Sequence, residues 1–118
     1  MFKDVKKIEF TYSKQIEVSQ HLLSAQRKYR IEGLRDILSE EIVDVFYVDR
    51  NHKNGPEIHI VTCKATILIL NFQTKKLCTI LFARPGQVRR YYQACQMVAP
   101  EKVIEAAHYN LSKHRNNL

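Results

Sequence analysis

The chain has 118 residues, of which 19 are Lys or Arg and 12 are Asp or Glu, for a formal net charge of +7. A hydrophobic fraction of 45% with only three glycines and three prolines excludes a disordered or low-complexity chain. It predicts a single domain over residues 1–118 with one buried core. The start, Met-Phe-Lys-Asp-Val-Lys-Lys, lacks a signal-peptide core, and the longest apolar run, residues 65–70, is far too short to span a bilayer. A soluble, cytoplasmic protein is expected.

In chain order, residues 7–12 alternate with period two and read as a short strand. Ser13 offers a helix N-cap, and Ile16, Val18, Leu22, Leu23 and Ala25 form an imperfect helical stripe through residues 15–29. Ile31, Leu34, Ile37 and Leu38 recur at three- and four-residue spacing and predict a second short helix. Four strand-like runs follow: 43–50, 57–63, 65–72 and 77–84. The first two are joined through Asn54-Gly55-Pro56, and the last two through the polar turn 73–76. Connections this short force antiparallel neighbours, so the runs make a meander. An exposed edge strand is expected near residues 43–50, where pairing with a second sheet is open; the oligomeric state is not fixed.

Two helices close the chain. Val88, Tyr91, Tyr92 and Cys95 share one helical face, opposite Arg89, Arg90, Gln93 and Gln96. Pro100 opens a second helix to about Lys113, with Val103, Ala106, Ala107 and Leu111 as its apolar stripe. The fold class is α+β: N-terminal helices, a four- to five-stranded antiparallel meander sheet and C-terminal helices, with the helices expected on one sheet face.

Cys63, Cys78 and Cys95 form no CxxC pair, and the five histidines do not flank them at zinc-like spacings. Buried free thiols are expected, with no metal and no cofactor. The charge distribution is more informative. From Ile58 to Pro100 there is no Asp or Glu, but there are Lys64, Lys75, Lys76, Arg84, Arg89 and Arg90. Such a surface is built to meet an anion. The cations are spread over strands and turns and do not line one amphipathic face, which argues against a membrane and for nucleic acid or an acidic protein.

On the 57–63 strand, Glu57 and His59 share a face, expected to be the open face of the sheet. A carboxylate, histidines, an arginine and tyrosines on a basic face suffice for RNA cleavage without metal. One group takes the 2′-hydroxyl proton, another protonates the leaving 5′-oxygen, and a cation stabilises the phosphorane charge. Glu57 or His59 is the candidate base, His52 or Tyr91 the acid and Arg84 the phosphate clamp; Lys53, Lys75, Lys76, Gln87, Arg89, Arg90 and Tyr91 are candidate nucleic-acid contacts. Thr79 and Arg84 point to opposite faces of a regular strand, so a bulge is needed to unite them. Structural roles fit the same residues. His52 suits a solvated loop, His59 cross-strand packing and Glu57 a lysine pair on the sheet. One of Tyr91 and Tyr92 suits the core, and Arg89 and Arg90 suit a solvated helix face.

Asn51-His52-Lys53-Asn54-Gly55-Pro56-Glu57-Ile58-His59-Ile60 and Thr79-Ile80-Leu81-Phe82-Ala83-Arg84-Pro85-Gly86-Gln87-Val88-Arg89-Arg90-Tyr91-Tyr92 resemble small proteins carried by phages and mobile elements of Gram-positive bacteria. Those proteins are placed in the barnase–EndoU–colicin–RelE-like nuclease group. The resemblance covers roughly residues 43–95. It implies a helix-then-sheet fold and metal-independent ribonuclease chemistry at positions matching His52, Glu57, His59, Thr79, Arg84, Gln87 and Tyr91. Three functions compete at this point: a ribonuclease, a non-catalytic nucleic-acid binder, and a phage-encoded inhibitor of a host nucleoprotein defence complex.

Overall fold

The computed structural model describes residues 4–12, 16–20, 22 and 33–114. Five strands form one antiparallel sheet in meander order: β1 (Asp4–Ile8), β2 (Ile42–Asp49), β3 (Glu57–Thr62), β4 (Thr66–Asn71) and β5 (Leu77–Phe82). Among the described residues the helices are α1 (Leu34–Leu38), α2 (Pro85–Ala94) and α3 (Glu101–His114). The α+β class therefore holds. No helix among the described residues is long and apolar enough to cross a membrane. The expected helix over 15–29 and its Ser13 cap lie largely outside the described residues.

Turn chemistry sets the strand boundaries. Between β4 and β5, Asn71 Oδ1 accepts from the N–H groups of Gln73 and Thr74, each at 2.9 Å, and Lys75 takes φ +62°. Between β3 and β4, the Ala65 N–H donates to the Thr62 carbonyl at 3.0 Å while Ala65 holds a left-handed φ of +58°. Thr62 Oγ1 accepts from the Thr66 N–H at 3.2 Å and donates to Glu40 Oε1 at 2.7 Å, so one hydroxyl braces both the turn and the approach to β2.

Two cores flank the sheet. On one face Phe46, Val48, Val61, Ile67 and Ile69 pack beneath Val88, Tyr91 and Tyr92 of α2 and Val103 and Ala107 of α3. On the other, Val45, Ile58, Ile60, Leu68, Leu70 and Ile80 pack against Leu22, Ile37 and Leu38, with Phe10, Tyr12, Ile16 and Val18 at the margin. The expectation of helices on one face and an open opposite face is corrected here. β4 is apolar on both sides and β3 is buried on both, and each side must be covered to remove that surface from water.

The strand edges also differ from expectation. β2 is internal, paired with β1 on one side and β3 on the other, so the segment near 43–50 is no free edge. The outer strand is β1, which ends at Ile8 where the sequence pattern runs to residue 12. Beyond Ile8 the chain turns Phe10 and Tyr12 into the second core. Lys6 and Lys7 are exposed on β1, a charged edge that discourages further pairing. At the β5 edge the Leu77 N–H donates to the Glu17 carbonyl at 2.8 Å, and the Ser19 N–H donates to the Leu77 carbonyl at 2.9 Å. Val18 thereby forms a parallel bridge with Leu77.

Two register shifts re-aim side chains. One in β2, between Ile42 and Asp44, breaks the alternation at Val43, which packs against the helix-side core. The other, opposite Ile69 and Leu70, leaves Cys78 unpaired in β5. Leu77 therefore joins Ile80 and Phe82 on the second core, where unbroken alternation would place it with Thr79 and Leu81. Cys63, Cys78 and Cys95 are free but half-buried, not enclosed as expected, since two of them sit at a turn and a bulge that lift them from the packed faces.

Helix α2 is bounded on both sides by side-chain and backbone logic. Pro85 fills its first position, and Gln87 Oε1 accepts from the Arg84 N–H at 2.8 Å. At its end Gln96 takes φ +58°, its N–H donates to the Gln93 carbonyl at 3.0 Å, and the Met97 N–H donates to the Tyr92 carbonyl at 2.8 Å. That is the paired-bond Schellman closure. On α3 the buried Asn110 amide donates to the carbonyls of Lys64, Ala65 and Ala83 at 3.1–3.4 Å, seating α3 over the β3–β4 turn.

Candidate functional site

Period two along β3 turns Glu57, His59 and Val61 toward α2 and α3, and Ile58 and Ile60 toward the other core. His59 is thus 1% exposed, beneath α2 and not on an open face. Both its nitrogens are engaged: Nδ1 lies 2.6 Å from the Tyr91 hydroxyl and Nε2 lies 2.9 Å from Glu57 Oε1. Arg50 Nη2 in turn lies 3.0 Å from each Glu57 oxygen. Burial pushes the Glu57 carboxyl up, but the hydrogen bond and charge of His59 and the Arg50 guanidinium outweigh it and hold the group below its usual value. Burial lowers His59, only partly offset by Glu57 and reinforced by Arg50. A carboxylate at Nε2 can only accept, so Nε2 carries the proton and Nδ1 accepts from the Tyr91 hydroxyl, an assignment made from the network. Burial likewise raises the Tyr91 phenol, which stays protonated and able to donate.

The next residue makes a parallel anchor. The Tyr92 hydroxyl donates to Asp44 Oδ2 at 2.5 Å, and Lys7 Nζ lies 3.1 Å from Asp44 Oδ1. Burial and Asp44 both raise the Tyr92 phenol. Phe46 sits between the two rings, stacked on Tyr91 at 5.4 Å and edge-on to Tyr92 at 5.2 Å. Helix α2 is therefore fixed to the sheet by two consecutive tyrosines: Tyr92 bonds the Asp44 carboxylate directly, Tyr91 reaches the Glu57 carboxylate through His59, and each carboxylate also meets a cation. These carboxylates, Glu57 and Asp44, come from outside the acid-free segment.

The order carboxylate, imidazole, hydroxyl is that of a general-base relay. Here it is buried: Tyr91 is 3% and His59 1% exposed, so the imidazole is not presented on an open face of the sheet. The remaining candidates do not converge on it. His52 is exposed on the β2–β3 loop, where its Nδ1 accepts from the Asn54 N–H at 3.3 Å and its carbonyl from the Gly55 N–H at 2.9 Å. Arg84 follows β5 near Phe82, which pairs with Thr66, whereas Glu57 pairs with Asn71 at the other end of β4. Five residues along a strand separate those ends by about 17 Å. Thr79 lies in line with His59 across Ile69, two strands and about 10 Å away. Gln87 is spent on the helix cap.

The cationic candidates occupy the surface. Arg89 and Arg90 are exposed on the outer face of α2, and Arg84 at its start; among the described residues none of the three pairs with a carboxylate. Lys53, Lys75 and Lys76 lie on two loops at one end of the sheet, joined by the Asn71 amide donating to the Asn54 carbonyl at 3.1 Å. Lys75 hydrogen-bonds the Phe72 carbonyl and stands 4.2 Å over its ring, and Lys76 lies 3.9 Å from Glu17. Sequence reasoning missed Arg50, Asp44 and Lys7. For Asp44 the one signal was its period-two spacing from Phe46, which puts both on the same strand face. Among the described residues no three His, Cys, Asp or Glu side chains are grouped to hold a metal ion. No protein-family model, curated protein or solved structure matches this chain.

Proposed function

We propose that this chain binds nucleic acid without cleaving it, through a cationic surface centred on the outer face of α2. The observation that carries this reading is the division of α2 into two faces. Its inner face commits Val88, Tyr91 and Tyr92 to the core, while its outer face leaves Arg89 and Arg90 exposed with no carboxylate partner among the described residues. An unpaired guanidinium in water is free to exchange counterions for a phosphodiester backbone, and a helix surface without acids does not repel one. Arg84, exposed at the start of α2, adds a further cation without a carboxylate partner among the described residues. The burial of His59 supports binding over cleavage.

Fluorescence anisotropy with labelled RNA and DNA, titrated over roughly 50–200 mM salt, tests the reading. Affinity is expected to fall steeply with salt, and an Arg89→Ala, Arg90→Ala variant should lower the log–log slope by about two units, one per lost phosphate contact. RNA recovered after incubation with EDTA should be intact. A flat salt response would refute nucleic-acid binding, and an unchanged slope in the variant would remove α2 from the interface. Cleavage lost on His59→Ala would restore a ribonuclease.

A further inference from the structure

We propose that His59 makes the seating of α2 responsive to protons: adding a proton to its buried imidazole loosens α2 from the sheet while the core on the opposite face holds. This goes beyond the binding reading, and its test needs no nucleic acid.

The geometry places the imidazole as a joint between two elements. Nε2 is bound to Glu57 on β3 at 2.9 Å, and Nδ1 faces the Tyr91 hydroxyl on α2 at 2.6 Å. In the neutral ring Nδ1 accepts from that hydroxyl. A protonated Nδ1 is a donor, so the hydroxyl must reverse or the ring must move, in a site where His59 is 1% and Tyr91 3% exposed. The charged groups around the ring are few. β3 supplies Glu57, which favours imidazolium but is already held by Arg50; Arg50, after β2, opposes it. α2 supplies Tyr91 itself and Arg90, whose charge is felt at the phenol. The cross-strand neighbours on β2 and β4 are Phe46 and Ile69, and α3 turns Val103 and Ala107 to this core; none of these titrates. The folded site therefore disfavours the proton that an opened chain would take up.

The sign follows from linkage. A histidine lowered in the folded state contributes stability that is present above its unfolded value of about 6.5 and lost as pH falls below it, by up to about tenfold in the opening constant per pH unit. The response is local because the sheet separates two cores and His59 belongs only to the one under α2 and α3. Segments resting on one core can open without the other.

Amide hydrogen exchange of residues 89–94, corrected for intrinsic rates and followed from about pH 7.5 to 5, is the test. The opening constant of these amides should rise toward tenfold per pH unit below about 6.5, while amides of β3 and β4 keep their protection. His59→Gln can donate to Glu57 and accept from Tyr91 without titrating, so its α2 exchange should be flat over the same range. Glu57→Gln keeps the histidine and should keep the slope. The proposal is overturned by a flat wild-type response, by a slope that survives His59→Gln or vanishes in Glu57→Gln, or by β3 and β4 opening in step with α2. If His59→Gln fails to fold, the wild-type and Glu57→Gln slopes still decide.

Discussion

Removing one oxygen from Tyr92 tests whether α2 is held by polar anchors or by apolar packing alone. In Tyr92→Phe the ring stays, with its edge-on contact to Phe46 at 5.2 Å and its 1% exposure, so no cavity of consequence opens. What is lost is the hydroxyl's 2.5 Å bond to Asp44. A hydrogen bond to a charged group contributes about 1.5–3 kcal/mol, and leaving its acceptor partly unsatisfied keeps the loss in that range. Asp44 retains Lys7 at 3.1 Å and is 10% exposed, so Lys7 and water recover part of the interaction. The expected loss is about 2 kcal/mol. For a chain of this size that corresponds to a fall in melting temperature of roughly 6–10 °C. Thermal unfolding by circular dichroism, with urea melts to confirm an unchanged m-value, measures it. A melting temperature within about 2 °C of wild type would refute the anchor, since that shift lies in the range of ordinary surface substitutions.

Two further outcomes follow from local geometry. Gln96→Gly should stabilise by about 0.5–1 kcal/mol in urea melts, because Gln96 holds φ +58° at the α2 closure where glycine is unstrained, and a destabilised variant would contradict the assigned closure. Glu57 gives a separate acid limb. Its carboxyl is held below the usual 4.5, so its contribution is present above that value and lost as pH falls through the lower folded one. Stability measured by urea melts below about pH 4.5 should decline less steeply in Glu57→Gln than in wild type, and parallel declines would show that other carboxylates set the limb.

The meander was legible because turn chemistry and short connections leave antiparallel neighbours as the only choice. The α2 stripe of Val88, Tyr91, Tyr92 and Cys95 was legible because its spacing is helical. Which way Glu57 and His59 face was not, because β3 is buried on both sides, with Ile58 and Ile60 on one and His59 and Val61 on the other. When both faces are buried, alternation gives two sets without saying what lies over either. The Tyr92–Asp44 bond spans 48 residues, a pairing that no local pattern signals. The separation of Arg84 from Glu57 was hidden for a related reason. Both lie next to strands of one hairpin series, but a meander alternates its ends, so residues close in sequence order land at opposite poles of the sheet.

The route between β1 and β2 has a kinetic consequence. β2 to β5 are neighbours in sequence and can zip through short turns, whereas β1 and β2 are separated in sequence by a segment whose Val18 is bridged to β5 at the far edge of the sheet. Closing that long connection costs chain entropy that the turns do not. The β1–β2 ladder should therefore form late, after the other four strands have given it a surface to dock on. A chain trimmed of β1 would be left with β2 as a bare edge, the condition that favours pairing with another molecule.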